Sequence, residues 1–205
     1  MAVEEPKFEV LLQDNKFEVR RYAPVIVAET LVDGDMDVAS GKGFRTIADF
    51  IFGNNKVPMS EASSKIAMTA PVTMEPQVQS SKIAMTAPVS VQPASDGVSL
   101  VGAKCWRVQF VMPSQYTMAS LPKPNNGAVT LREVPAKTVA VATYSGFNTE
   151  RRIQDETRLL VDWLQAHKFV ANGPAQLARY DPPWTLPMWR RNEIHIEVKP
   201  AESGF

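Results

Sequence analysis

The sequence predicts an α+β protein: a curved antiparallel sheet carrying two helices, with its two halves built on one plan. Three observations predict this. Short runs with period-two alternation recur along most of the chain, and the hydrophobic period lengthens to that of a helix in only two stretches, residues 37–53 and 149–168. The order strands, helix, strands then occurs twice, which reads as an internal structural duplication with a pseudo-two-fold relation. No linker composition separates the halves, so the 205 residues are expected to form one domain, with half-repeats near 6–112 and 128–198.

The first half opens with Phe8-Glu9-Val10-Leu11-Leu12 and residues 17–22 on either side of the polar turn Gln13-Asp14-Asn15-Lys16, a hairpin pattern. The β-branched run Val25 to Val32 is a third strand. On a helical wheel of residues 37–53, Ser40, Gly43, Phe44, Ile47, Phe50 and Ile51 share one face and Lys42, Arg45 and Asp49 the other. Asp37 is the expected N-cap and Gly53-Asn54 the expected stop.

A tandem repeat follows. Residues 63–72, Ser-Ser-Lys-Ile-Ala-Met-Thr-Ala-Pro-Val, recur without change as residues 80–89, an offset of 17. Two copies fall short of the three that a solenoid needs. Period-two alternation places Ile66, Met68, Ala70 and Val72 on one face, and Ile83, Met85, Ala87 and Val89 on one face of the second copy. Both copies are therefore expected to be strands, and the proline in each puts the run at a sheet edge or a bulge.

A strand at 105–112 closes the first half, and the second supplies strands at 129–134 and 138–144, then the helix 149–168 capped by Asn148 or Thr149, with Ile153, Leu160, Val161, Trp163 and Leu164 on its apolar arc. Strands at 176–180 and 194–198 complete the pattern.

Composition excludes several function classes. Lys and Arg number 22 against 22 Asp and Glu, so no overall charge draws the chain to nucleic acid or to anionic membrane. No run approaches the roughly 20 apolar residues of a membrane span. The N-terminus lacks the basic start and apolar core of a secretory signal, and the single cysteine, Cys105, forms no intramolecular disulfide; a soluble, cytoplasmic protein is expected. The oligomeric state is left open.

The repeated Lys-Ile-Ala-Met-Thr-Ala-Pro-Val segment, Phe110-Val111-Met112-Pro113, Pro122-Lys123-Pro124, and Tyr180-Asp181-Pro182-Pro183-Trp184-Thr185-Leu186-Pro187 followed by Arg190-Arg191-Asn192-Glu193 resemble, in this order, the SOUL/haem-binding protein family. The likeness runs from about Val10 to Val198, and the doubled motif resembles bacterial members more than animal ones. The resemblance implies a distorted β-barrel of two halves with a helix on each, similar to GyrI-like effector-binding domains. It also implies reversible, non-covalent binding of haem or another porphyrin as a carrier or buffer. In animal members the porphyrin lies in an apolar groove beside the first helix, and the matching positions here are Phe44, Ile47, Ala48 and Ile51. The family's arginine on this helix falls at Gly41 and a lysine at Asp49, so Lys42 and Arg45 are the expected partners of the propionates.

Attachment through thioether bonds requires two cysteines and is excluded by Cys105 alone. His167, at the flank of the second helix, is the candidate axial ligand, although a residue there more commonly caps the helix end. His195 shares its strand face with Glu193 and Glu197 and reads as part of a polar face rather than as a ligand. Met68 and Met85 read as packing residues. Glu193 is the candidate catalytic group of the alternative reading, a small-molecule or tetrapyrrole-modifying enzyme; an ion pair with a neighbouring arginine is the preferred assignment. A third reading is an effector-binding module for another apolar ligand. No His or Cys spacing predicts a metal site, and neither nucleotide-binding glycine pattern nor nucleophile elbow is present.

Overall fold

The structure, a computed structural model, describes residues 4–77, 100, 102–182 and 184–200. The elements in chain order are β1 (Phe8–Asp14), β2 (Phe17–Tyr22), β3 (Val25–Asp33), α1 (Met36–Ile51), β4 (Asn55–Lys56), β5 (Val72–Pro76), β6 (Cys105–Val111), β7 (Lys123–Pro124), β8 (Thr130–Val134), β9 (Lys137–Tyr144), α2 (Glu150–Ala166), β10 (Phe169–Ala171), β11 (Gln176–Arg179) and β12 (Asn192–Pro200).

The main sheet is antiparallel throughout and runs β1-β2-β9-β12-β11-β5-β6-β3-β8, with β10 added on β12. It curls into a half-barrel. Apart from β1, the order reads the same from both ends if β2 is exchanged with β8, β3 with β9, β5 with β11 and β6 with β12. This is the pseudo-two-fold relation expected from the sequence. It also contains an exchange: β2 precedes β3 in the chain yet pairs with β9, while β8 precedes β9 yet pairs with β3.

The helices cover the convex face. α1 packs on β3 and β6, and α2 on β9, β10 and β12. Ile47, Phe50 and Ile51 of α1 join Trp106, Val108 and Phe110 of β6 in one buried cluster that also takes in Ile153, Leu160 and Leu164 of α2. Each such side chain contributes roughly 1.5–3 kcal/mol by leaving water. Gly43 is the contact point between helix and sheet: a Cβ there would lie 2.5 Å from Val108 Cγ2, so only a residue without a side chain lets the two backbones approach this closely.

Four sequence expectations need correcting. α1 begins one turn-residue earlier than the wheel placed it, capped by Asp35, whose carboxylate accepts from Val38 N at 2.9 Å, rather than by Asp37. Its end is as expected, Gly53 adopting a φ of 123°. The repeat motif at 65–71 is not a strand: the chain is extended but unpaired until Thr69 and Val72, and Met68 is exposed whereas Ile66 and Ala70 are buried. The strand that follows, β5, lies mid-sheet between β11 and β6 and not at an edge. Proline is tolerated there because Pro71 precedes the strand and Pro76 ends it, leaving the central N–H groups free to pair. The second copy, 80–89, lies outside the described residues. Finally, the short strand β10 had no alternation long enough to reveal it.

Candidate functional site

Because every strand alternates, one face of the curled sheet is apolar and bears the helices, while the other is concave and lined by the polar members of each strand. The registers bring these together: Arg20 and Glu197 both oppose Val139, Tyr22 opposes Lys137, Glu193 opposes Thr143, Gln176 opposes His195, and Gln109 opposes both Thr73 and Glu29. In a flat sheet this face would be wet. Curling closes it, and Arg20, Gln109, Glu193 and His195 are buried.

At one end Glu193 is the hub. Arg20 donates from both terminal nitrogens to the two carboxylate oxygens, at 3.0 and 3.3 Å, the Tyr180 hydroxyl donates at 2.6 Å, and His195 Nε2 lies 2.7 Å away. Arg20 also donates to Glu18 at 2.5 Å and to the Tyr22 hydroxyl at 3.1 Å. Burial alone would raise the Glu193 carboxyl, but the hydrogen bond from His195, the Arg20 guanidinium and the Tyr180 hydroxyl outweigh it and pull it down to about 2. His195 is shifted down by burial, against the opposing pull of Glu193, so a neutral imidazole donates Nε2–H to the carboxylate. Burial and the adjacent Glu193 charge push the Tyr180 hydroxyl well above its usual range.

This arrangement holds a charge in place. Glu193 is ionised and fully paired, the ion-pair assignment, although its principal partner is Arg20 from β2 and not the adjacent arginines of its own loop. His195 stands on a polar strand face, as expected, and that face is interior.

Beside this network the concave face holds a cavity of about 330 Å³, walled by Val25, Val27, Val111, Val134 and Val139 and edged by Glu75, Arg107, Arg132, Lys137, Gln176, His195 and Glu197. A neighbouring cleft of about 570 Å³ shares Pro6, Ala23, Val25, Val111, Val134 and Pro135 with it. Glu29 organises the cations: it accepts from Arg132 Nη2 at 3.0 Å and Gln109 Nε2 at 2.8 Å, and Arg107 Nε lies 3.8 Å away. Glu75 accepts from Gln176 at 2.6 Å and Arg107 at 3.3 Å.

The residues expected from the first helix lie elsewhere, on α1 over the convex face. Ile47, Ala48 and Ile51 point into the core. Phe44 is 41% exposed, its ring 5.5 Å from that of buried Phe110, and Lys42 and Arg45 stand exposed in the same turn. Neither cavity described above is lined by an α1 residue. His167 forms the C-cap of α2, its Nδ1 2.9 Å from Trp163 O and its ring stacked 4.2 Å from the Trp163 indole. Among the described residues no cluster of three His, Cys, Asp or Glu side chains is arranged to hold a metal ion, and no helix is long and apolar enough to cross a membrane.

A sequence model of the SOUL heme-binding protein family matches residues 3–80 and 75–197, together nearly the whole chain. The chain belongs to the SOUL heme-binding protein family. Among characterised relatives, mouse (Mus musculus) heme-binding protein 2 is 27% identical over 191 residues, 91% of this chain and 80% of the relative. Among solved structures, the C-terminal domain of EcmrR superposes with a TM-score of 0.58 at 12% identity, covering 90% of this chain and 98% of that one. A hydrolase from Listeria innocua superposes with a TM-score of 0.52 at 11% identity, covering 92% and 94%. At such identities these two structures share the fold alone with this SOUL-family chain, the curled half-barrel with two helices.

The concave-face residues Arg20, Arg107, Arg132 and Lys137 were not singled out in the sequence. Their signal was present as charges at alternate positions on β2, β6, β8 and β9, opposite apolar neighbours. Alternation alone assigns such residues to solvent; only the curvature of the whole sheet makes them interior.

Proposed function

We propose that this SOUL-family protein holds haem or a related tetrapyrrole without covalent attachment, as a carrier or buffer. The observation that carries this reading is the family match across both halves of the chain, with the named function of the mouse relative in support. Cys105 alone cannot make two thioether bonds, in keeping with a non-covalent mode.

The seat this reading favours is the outer flank of α1. A planar macrocycle would lie against the Phe44 ring, with Ile47, Ala48 and Ile51 forming the rigid layer beneath and Lys42 and Arg45 pairing with the propionates. Burial already accounts for Ile47 and Ile51, so Phe44, Lys42 and Arg45 carry the discriminating test. Titrating apoprotein with haemin is expected to give a saturable, red-shifted Soret band at micromolar haemin. Phe44→Ala and the double change Lys42→Ala, Arg45→Ala should each weaken binding about tenfold or more while leaving the melting temperature within a few degrees. A linear, unsaturable titration sinks the tetrapyrrole reading; saturation that these variants do not alter keeps the ligand but moves its seat off α1.

A further inference from the structure

The concave cavity has a chemical bias that its net charge hides. Glu75, Glu197 and nearby Glu29 balance Arg107, Arg132 and Lys137, but Glu29 and Glu75 are each held by two donors and Glu197 by one. Glu29 accepts from Arg132 and Gln109, Glu75 from Gln176 and Arg107, and Glu197 from Asn172 Nδ2 at 2.8 Å. By contrast, Lys137 makes no hydrogen bond and no ion pair with any described residue, feeling only the more distant charges of Glu197, Glu75 and Arg132. Arg107 Nε is buried with no hydrogen-bond partner, 3.8 Å from Glu29. An ammonium brings three N–H donors, and those of half-buried Lys137 are taken up by no described residue. The cavity therefore offers donors without acceptors, set among valine side chains.

We infer that this cavity binds a small amphipathic carboxylate, its head on Lys137 and its apolar body against Val25, Val27, Val111 and Val139. The chemistry follows from the inventory. A cationic ligand would find Glu29 and Glu75 engaged and would face Lys137 across the cavity. A neutral apolar one would leave the donors unpaired. A carboxylate supplies acceptors and an opposite charge for the Lys137 ammonium, and the walls bury an alkyl or aryl body. Burial, reinforced by Arg132 and opposed by Glu197 and Glu75, depresses the Lys137 ammonium; an incoming carboxylate offsets that penalty. The site is separate from the α1 flank and does not depend on the tetrapyrrole reading.

Isothermal titration of the full chain with octanoate, and with octylamine as its charge-reversed counterpart, tests this. Octanoate is expected to bind saturably and octylamine not to bind. Lys137→Met, which keeps the apolar stem, should lower octanoate affinity at least tenfold without lowering the melting temperature and without changing the haemin titration. No octanoate binding to the wild type, equal binding of octylamine, or unchanged octanoate affinity in a folded Lys137→Met protein would each overturn the inference. Competition between haemin and octanoate would overturn the separateness of the two sites and assign the cavity to the tetrapyrrole.

Discussion

Arg20 on β2 and Glu193 on β12, 173 residues apart in the chain, meet as a buried fork in which two guanidinium nitrogens face two carboxylate oxygens at 3.0 and 3.3 Å. Their side chains are 7% and 2% exposed, so neither is solvated without the other. Removing one partner of such a pair strands the second charge, at a cost of about 3–5 kcal/mol. Glu193→Ala is expected to lose stability of this order in urea unfolding. Glu18→Ala, which removes only the outer partner of Arg20, should cost markedly less. Equal losses would show that Glu193 is not the hub.

The same network sets the acid limit of the fold. Glu193 has a folded pKa of about 2, below its unfolded value near 4.3, so its contribution is complete above the unfolded value and disappears as pH falls toward 2. His195 is also shifted down, from an unfolded value near 6.5; the unfolded chain takes up that proton first, and stability again falls with pH. Both signs agree. Urea midpoints are expected to decline from about pH 6.5 downward and steeply below about pH 4.5, and His195→Gln should flatten the upper part of that decline. A profile level between pH 7 and 5 would show that the imidazole is not held neutral.

Gly43 against Val108 gives a packing prediction. The methyl of Gly43→Ala would overlap Val108 Cγ2 at 2.5 Å, and overpacking of this kind costs about 1–3 kcal/mol, more than the roughly 0.5–1 kcal/mol gained from alanine's helix propensity. A lower melting temperature is expected, with partial recovery in the double variant Gly43→Ala, Val108→Ala. If the two losses simply add, the residues are not the contact that brings α1 onto β6.

His167 stacks on Trp163 and donates its Nδ1–H to the Trp163 carbonyl at the end of α2, with the ring contact worth about 0.5–1.5 kcal/mol. His167→Ala should lower stability by about 1 kcal/mol and leave the Soret maximum of any haemin complex in place. A shifted maximum would assign the iron to this imidazole.

What the sequence made legible was set by the range of the interactions involved. Both helices, and the strands with clean alternation such as 17–22 and 138–144, follow from local periodicity and appear within a residue or two of their expected positions. So does the duplication, since its order is written along the chain. The segment 65–71 misled because alternation of Ile, Met and Ala is also what a half-buried extended loop requires when it packs against α1, as Ile66 does by donating its N–H to Ile51 O at 2.9 Å. The polar face of His195 follows from alternation, but its burial comes from curvature summed over strands that no local window contains. The expected neighbouring arginine, Arg191, does lie 3.8 Å from Glu193, but register brings Arg20 closer, at 3.0 Å.

The exchange of β2 and β8 between the halves has a consequence for how such a protein can be assembled. A polypeptide containing one half alone would lack the strand that completes its own side of the sheet, and two such polypeptides would have to trade these strands to close. The present chain is in effect a reciprocal handshake made permanent by covalent fusion, freeing the closed form from dependence on concentration. Pairing residues 17–22 with 137–142 also obliges the earliest strands to wait for the latest part of the chain, so neither half is an independent starting point for folding.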